Sequence, residues 1–122
     1  MFTLRQAHID ATAAVYRVTF EDRMVRHLGV KFPSECEALG EEKVRDRIRD
    51  GVVRSQKYEI GAQPDVSRFI RFMFAIRPDF DTARQTAWAR PILEDTNASA
   101  SDRLDRVREE ARKQRRAKRG KT

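Results

Sequence analysis

Apolar residues recur at intervals of three, four and seven along the first part of the chain, between positions 4 and 28. Residues three or four apart share one face of an α-helix, so this pattern predicts a long amphipathic N-terminal helix. Tyr16, Phe20 and Met24 form a second apolar row, which widens this face enough to contact two neighbouring elements or a partner protein. Gly29 follows as the expected C-terminal cap.

The next two predicted helices are separated by a glycine. Ser34 and Glu37 match a capping box at the start of a short helix, which Gly40 closes. A longer helix is expected from Glu41 to about Lys57, where apolar residues lie four positions apart. Gly51 lies inside this helix and weakens it by about 1 kcal/mol relative to Ala, unless another backbone packs closely against it.

The most apolar segment begins near Asp65, which is the expected N-cap of another helix. Its apolar residues include Phe69, Phe72 and Met73, and this density predicts the central core helix of the domain. Two interpretations remain open: these side chains fill the core, or a small domain leaves one side of the helix for a partner. Pro78 ends the helix because proline disfavours helical dihedrals at the residue before it.

The C-terminal third of the chain carries two further helical patterns. Residues 83–95 predict a short helix with Trp88 on its apolar side, and Pro91 limits how far that helix extends upstream. A polar linker then leads to a last helix, for which Ser99 and Asp102 are the expected caps.

Together these elements predict an all-α fold, a compact bundle of five or six helices with a long N-terminal helix and a basic C-terminal tail. No alternating pattern of sufficient length predicts a β-strand. We expect residues 1–98 to form the helical domain and residues 99–122 to form a C-terminal helix that runs into a flexible tail.

The net charge of +7 is concentrated at the C-terminal end. The last 22 residues hold 10 Lys or Arg against 4 Asp or Glu, so the rest of the chain is nearly neutral. These cations repel one another without buried apolar area to offset the repulsion, which predicts fraying or disorder. Three interpretations remain open: a solvated segment without a ligand, binding to an acidic partner protein, and salt-dependent binding to nucleic acid. The candidate polyanion-binding residues are Arg112, Lys113, Arg115, Arg116, Lys118 and Arg119.

Residues that carry enzymatic or metal chemistry are few. Cys36, His8 and His27 lack the spacing of a zinc site. Cys36 lies near a helix start but between two glutamates, so we expect a small core-facing residue rather than a nucleophile. Asp79 and Asp81 form an Asp-x-Asp pair that we expect to serve turns and caps rather than a divalent cation. The sequence therefore predicts no enzyme, no metal and no cofactor.

Cysteine content and hydropathy point to a compartment. One cysteine forms no internal disulfide, and the first residues, Met1-Phe2-Thr3-Leu4-Arg5, lack the apolar core of a signal peptide. No run of about 20 apolar residues predicts a membrane span. We expect a cytoplasmic protein without membrane contact.

Several stretches in order resemble an uncharacterised family of small bacterial proteins that are often encoded beside type VI secretion spike, tip or effector genes. They are Phe20-Glu21-Asp22-Arg23-Met24-Val25-Arg26-His27-Leu28, Phe32-Pro33-x-x-Cys36-x-x-Leu39-Gly40, Ile48-Arg49-Asp50-Gly51, Tyr58-Glu59-Ile60, Asp65-Val66, Arg71-Phe72-Met73-Phe74, Asp79-Phe80-Asp81, Trp88-Ala89 and Ile92-Leu93. This chain departs from the family at Ala87, where a proline usually precedes the Trp-Ala pair, and in its basic tail.

The resemblance implies a cytoplasmic accessory role in a secretion or toxin locus and implies no catalytic residues. Combined with abundant apolar helical surface, it leads us to expect a non-enzymatic adaptor or chaperone that binds a secreted effector or a spike component. The alternative is a nucleic-acid-associated protein that binds through the basic tail. The candidate partner-binding residues are Tyr16, Phe20, Met24, Phe69, Phe72, Met73 and Trp88.

Overall fold

A computed structural model describes residues 20–120, with side chains described as far as Lys118. The described part is all-α and contains six α-helices and one 3-10 helix, without a β-strand. The first helix, α1, is described over 20–31. The predicted helix before position 20, together with Tyr16, lies outside the described residues.

The ends of the first two helices differ from the sequence prediction. Helix α1 continues past Gly29 to position 31, and the Phe32 N–H donates to the Leu28 carbonyl at 2.7 Å. Helix α2 (Pro33–Leu39) has Phe32 as its N-cap without a side-chain cap, so the predicted capping box at Ser34 is wrong. The reason is Pro33, whose fixed φ starts the helix one residue earlier and places Ser34 within the first turn. Gly40 closes α2 with a φ of 85°, as predicted.

Helix α3 (Glu41–Lys57) has the predicted bounds. The chain divides into two compact units within this helix, the first ending at Arg49 and the second beginning at Asp50. In the first unit, Glu21 on α1 accepts hydrogen bonds from Arg45 and Arg49 on α3, each at 2.7 Å. These bonds, led by the one from Arg49, lower the pKa of Glu21. The buried apolar side chains among the described residues of this unit are Met24, Leu28, Val44 and Ile48.

The second unit is built around α4 (Gln63–Ala75), the predicted central core helix. Its residues Val66, Phe69, Ile70, Met73 and Phe74 are buried. The Phe69 ring lies 5.0 Å from the ring of Phe80, centroid to centroid. A Cβ at Gly51 would lie 2.6 Å from Cγ1 of Ile70, so α4 side chains fill the space that this glycine leaves on α3.

The start of α4 also differs in detail from the prediction. Ala62 is the N-cap, and Asp65 lies in the first turn rather than at the cap. Pro64 explains this shift, because proline is favoured in the first turn of a helix and moves the start upstream. The helix ends at Ala75, shortly before Pro78, as predicted.

The C-terminal elements differ from the prediction in two ways: one predicted helix is divided into two short elements, and the last helix is longer than expected. Residues 83–95 form a 3-10 helix (Arg84–Thr86) and the short helix α5 (Ala89–Glu94), rather than one helix. Helix α6 (Ala100–Gly120) follows, with the Asp102 N–H donating to Oγ of Ser99 at 3.1 Å in the predicted cap. Leu104 and Val107 of α6 are fully buried in the second unit.

The backbone of α6 is helical as far as Gly120, whereas the sequence predicts fraying over this basic segment. Lys, Arg, Ala and Gln have high helix propensity, and acidic side chains one turn earlier offset part of the repulsion. Gln114 donates to Glu110 at 3.1 Å, and Arg112 pairs with Glu109 at 3.8 Å. The flexibility of the tail and the division at residue 98 stay predictions.

Candidate functional site

The predicted partner-binding residues fall into two groups by exposure. Three of them are buried and fill the core: Met24, Phe69 and Met73 are 3%, 0% and 1% exposed. Phe20, Phe72 and Trp88 are half-buried and keep part of their apolar surface accessible. The partner-binding prediction therefore applies to this second group in the described part of the chain.

Phe72 and Trp88 belong to the second unit and adjoin buried residues in space or in the chain. The Phe72 ring on α4 meets the ring of Phe80 edge-on, with centroids 5.9 Å apart. Trp88 is the N-cap of α5 and precedes Ala89, which is fully buried. Both aromatic side chains therefore lie on or at the start of a helix and keep part of their surface accessible, and partly exposed aromatic residues are enriched at protein interfaces.

The basic residues of α6 are presented on a helix rather than on an unstructured tail. Exposed side chains are found at Arg112, Lys113, Arg115, Arg116 and Lys118. The side chain of Arg119 lies outside the described part. Because residues three, four and seven apart share a helix face, the cations form rows along α6.

The Asp-x-Asp pair is neutralised by arginines. Asp79 accepts a hydrogen bond from Nε of Arg77 at 2.7 Å, and this bond lowers the pKa of the carboxyl. Asp81 is 3% exposed, forms an ion pair with Arg54 and accepts a hydrogen bond from the Tyr58 hydroxyl at 2.9 Å. Both carboxylates therefore serve structure in this arrangement, since a divalent cation would have to displace bound guanidinium groups.

Cys36 is half-buried on α2. Burial raises the pKa of its thiol, and the negative charge of Glu35 raises it further. A reactive cysteine needs the opposite environment, one that stabilises the thiolate. The surroundings of Cys36 therefore disfavour nucleophilic chemistry.

We expect alkylation of Cys36 by iodoacetamide to show a pH midpoint above that of a small cysteine peptide measured alongside, because the thiolate is the reacting species. Glu35→Gln is expected to lower this midpoint by removing the nearby charge, whereas Glu37→Gln is expected to leave it unchanged. A midpoint below that of the peptide would show that the protein stabilises the thiolate instead.

The sequence pattern does not predict that α6 contains a buried arginine. Arg103 is 3% exposed, and its Nη1 donates to the carbonyl oxygens of Tyr58 at 2.7 Å and Leu93 at 2.6 Å. These carbonyls lie at the C-terminal ends of α3 and α5, where the helix dipole favours a cation. One feature of the sequence could have indicated this burial: Arg103 lies four residues before the apolar Val107 and so shares its helix face.

Neither a cluster of metal ligands nor a membrane span is found among the described residues, and comparisons with known proteins give no match. Within residues 20–120, no three His, Cys, Asp or Glu side chains gather as ligands for a metal ion. No helix of that same stretch combines the length and hydropathy needed to span a bilayer. No protein-family model matches the chain, and no curated protein or solved structure matches it significantly.

Proposed function

We propose that the protein is a non-enzymatic, protein-binding accessory of a bacterial type VI secretion or toxin-effector system, acting as an adaptor or chaperone. The observation that carries the proposal is the partial exposure of Phe72 and Trp88 on helical elements of the second unit. Tryptophan and other aromatic residues contribute much of the binding energy in protein interfaces because they bury large areas at low entropic cost. The type VI assignment is supported by the sequence resemblance alone.

The state of the reactive residue types agrees with a binding role. The carboxylates of Asp79 and Asp81 are paired with arginines, and the thiol of Cys36 is biased toward its protonated form. Pairing of the carboxylates and protonation of the thiol make these groups less reactive, whereas a catalytic residue is activated by its surroundings. Apolar side chains, by contrast, remain in contact with water, with Val30 81% and Val53 55% exposed.

Co-purification from the native cells tests this function. We expect the tagged protein to retain a secreted effector or a spike component, identified by mass spectrometry. Phe72→Ala combined with Trp88→Ala is expected to lose that partner, because the two substitutions remove the exposed aromatic surface. Gln85→Ala is the control, since Gln85 is exposed on the nearby 3-10 helix and contributes no apolar surface.

Circular dichroism of each variant separates loss of binding from loss of folding. A protein recovered alone and monomeric at every salt concentration, with no effector or spike component, would contradict the adaptor role. Retention of the same partner by the double variant would place the interface elsewhere on the chain.

A further inference from the structure

Three arginines from two helices of the second unit lie close together: Arg68 and Arg71 on α4, and Arg108 on α6. We refer to them as the arginine cluster. Nη2 of Arg68 and Nη2 of Arg108 both approach Oδ1 of Asp105, at 2.6 and 3.8 Å. Arg71 lies one turn after Arg68 on the same helix face. The Asp105 carboxylate therefore pairs with Arg68 and Arg108, whereas it forms no ion pair with Arg71.

Among the described side chains, Arg71 is the member of the cluster that forms no ion pair. Its Nε is buried, and no hydrogen-bond acceptor for this atom is found among the described residues. Burial lowers the pKa of the guanidinium, and the charges of Arg68 and Arg108 lower it further. An uncompensated positive charge beside two like charges is costly. The Arg71 side chain as a whole is half-buried, so an anion beside the cluster would offset this repulsion although Nε itself stays buried.

We propose that the arginine cluster binds a carboxylate from an acidic segment of the partner protein, with Arg71 as the principal contact. The proposal rests on the proposed function, because it assigns a chemistry to the partner. The planar fork of a guanidinium matches a carboxylate through two parallel hydrogen bonds. Asp105 already shows that a carboxylate fits between guanidinium groups at this place.

The same face of α6 extends the positive surface beyond the cluster. Arg112 and Arg115 lie four and seven residues after Arg108, so they share its face. This row spans about 10 Å of helix at 1.5 Å per residue. Both side chains are exposed, and no acidic residue follows Glu110 in the chain. An acidic segment seated at Arg71 would therefore meet further cations along α6.

Two features favour an acidic protein over nucleic acid as the occupant. Helix α6 has no aromatic residue, so it offers no platform on which bases stack. Asp105 and Glu109 stand among the arginines, with Glu109 at 3.8 Å from Arg112, and they interrupt the evenly charged track that a phosphate backbone prefers. A peptide instead places its carboxylates at the spacing that the arginines require.

Fluorescence anisotropy of a labelled oligoglutamate peptide with the full-length protein at low ionic strength tests the proposal. Arg71→Gln is expected to weaken binding at least about tenfold, since a charge-assisted contact is lost. Arg84→Gln is the matched control, because it removes the same charge from an exposed position outside the cluster and is expected to leave affinity nearly unchanged. Asp105→Asn is expected to strengthen binding several-fold by releasing Arg68 and Arg108 from their internal carboxylate.

Arg71→Gln removes an unpaired charge, so we expect its thermal stability to equal or exceed that of the parent protein. Should it fail to fold, Arg71→Lys retains the charge without the fork and is expected to bind at intermediate strength.

Equal binding by Arg71→Gln and Arg84→Gln, or weaker binding by Asp105→Asn, would overturn the proposal. Duplex DNA or inorganic phosphate bound through Arg71 in the absence of oligoglutamate binding would overturn the assignment to an acidic protein. If co-purification recovers no secreted effector or spike component while the protein still binds oligoglutamate through Arg71, that result would contradict the proposed function and leave the anion-binding proposal standing.

Discussion

Replacing Asp81 with Ala is expected to lower the free energy of unfolding of the second unit by about 3 kcal/mol, the lower end of the range for breaking a buried ion pair. Asp81 is 3% exposed and its partner Arg54 is 14% exposed, so water replaces little of the lost interaction. The Tyr58 hydroxyl loses its acceptor at the same time. Arg54 keeps Asp50 and the Pro78 carbonyl as partners, which limits the loss.

Urea denaturation followed by tryptophan fluorescence measures this effect, because Trp88 is the only tryptophan of the chain and belongs to the second unit. Asp79→Ala is the matched control. Its ion pair with Arg77 is half-exposed and screened by water, so we expect Asp79→Ala to lose clearly less stability than Asp81→Ala. If the two variants lose similar stability, the buried pair contributes no more than an ordinary surface pair.

Helical periodicity predicts the bounds of α3 and the core role of α4 correctly, because both properties follow from local sequence. Val44 and Ile48 lie four residues apart and are both buried. The density of apolar residues around Phe69 identifies the helix that is buried on several sides. Burial of apolar area dominates folding, so the pattern that records it is the most reliable one.

Helix ends are predicted less well where two local preferences compete. Ser34 and Asp65 each match a preferred N-cap residue, yet each follows a proline that already belongs to the first turn. Proline restricts φ to a helical value and needs no hydrogen-bond partner there, so it outweighs the side-chain cap. Gly29 likewise remains inside α1, because its freedom permits a cap without requiring one.

The polar network of the second unit is invisible to local pattern analysis. Tyr58 and Asp81 are 23 residues apart, and Arg103 reaches the Tyr58 carbonyl across 45 residues. Such contacts depend on how α3, the turn after α4, and α6 meet, which no spacing in the sequence encodes. The division of the predicted partner-binding residues has the same origin, since the density of apolar residues along α4 does not show that Phe69 is buried and Phe72 half-buried.

Replacing Arg103 with Met is expected to destabilise the second unit by about 3 kcal/mol or more, since two charged hydrogen bonds contribute about 1.5–3 kcal/mol each. Methionine retains much of the apolar stem but leaves the carbonyls of Tyr58 and Leu93 without this donor. Both carbonyls lie at the C-terminal ends of helices, so the substitution also removes a positive charge that interacts favourably with two helix dipoles.

Arg106→Met on the same helix is the control for this change. Arg106 is 56% exposed and pairs with Asp95 at 3.0 Å, so we expect it to contribute less than about 1 kcal/mol. Arg103→Lys is expected to fall between the two, because an ammonium reaches one carbonyl more readily than two. Trp88 fluorescence in urea reports all three variants. Equal stability of Arg103→Met and Arg106→Met would mean that the buried guanidinium adds nothing to the attachment of α6 beyond its apolar contacts and its other ion pairs.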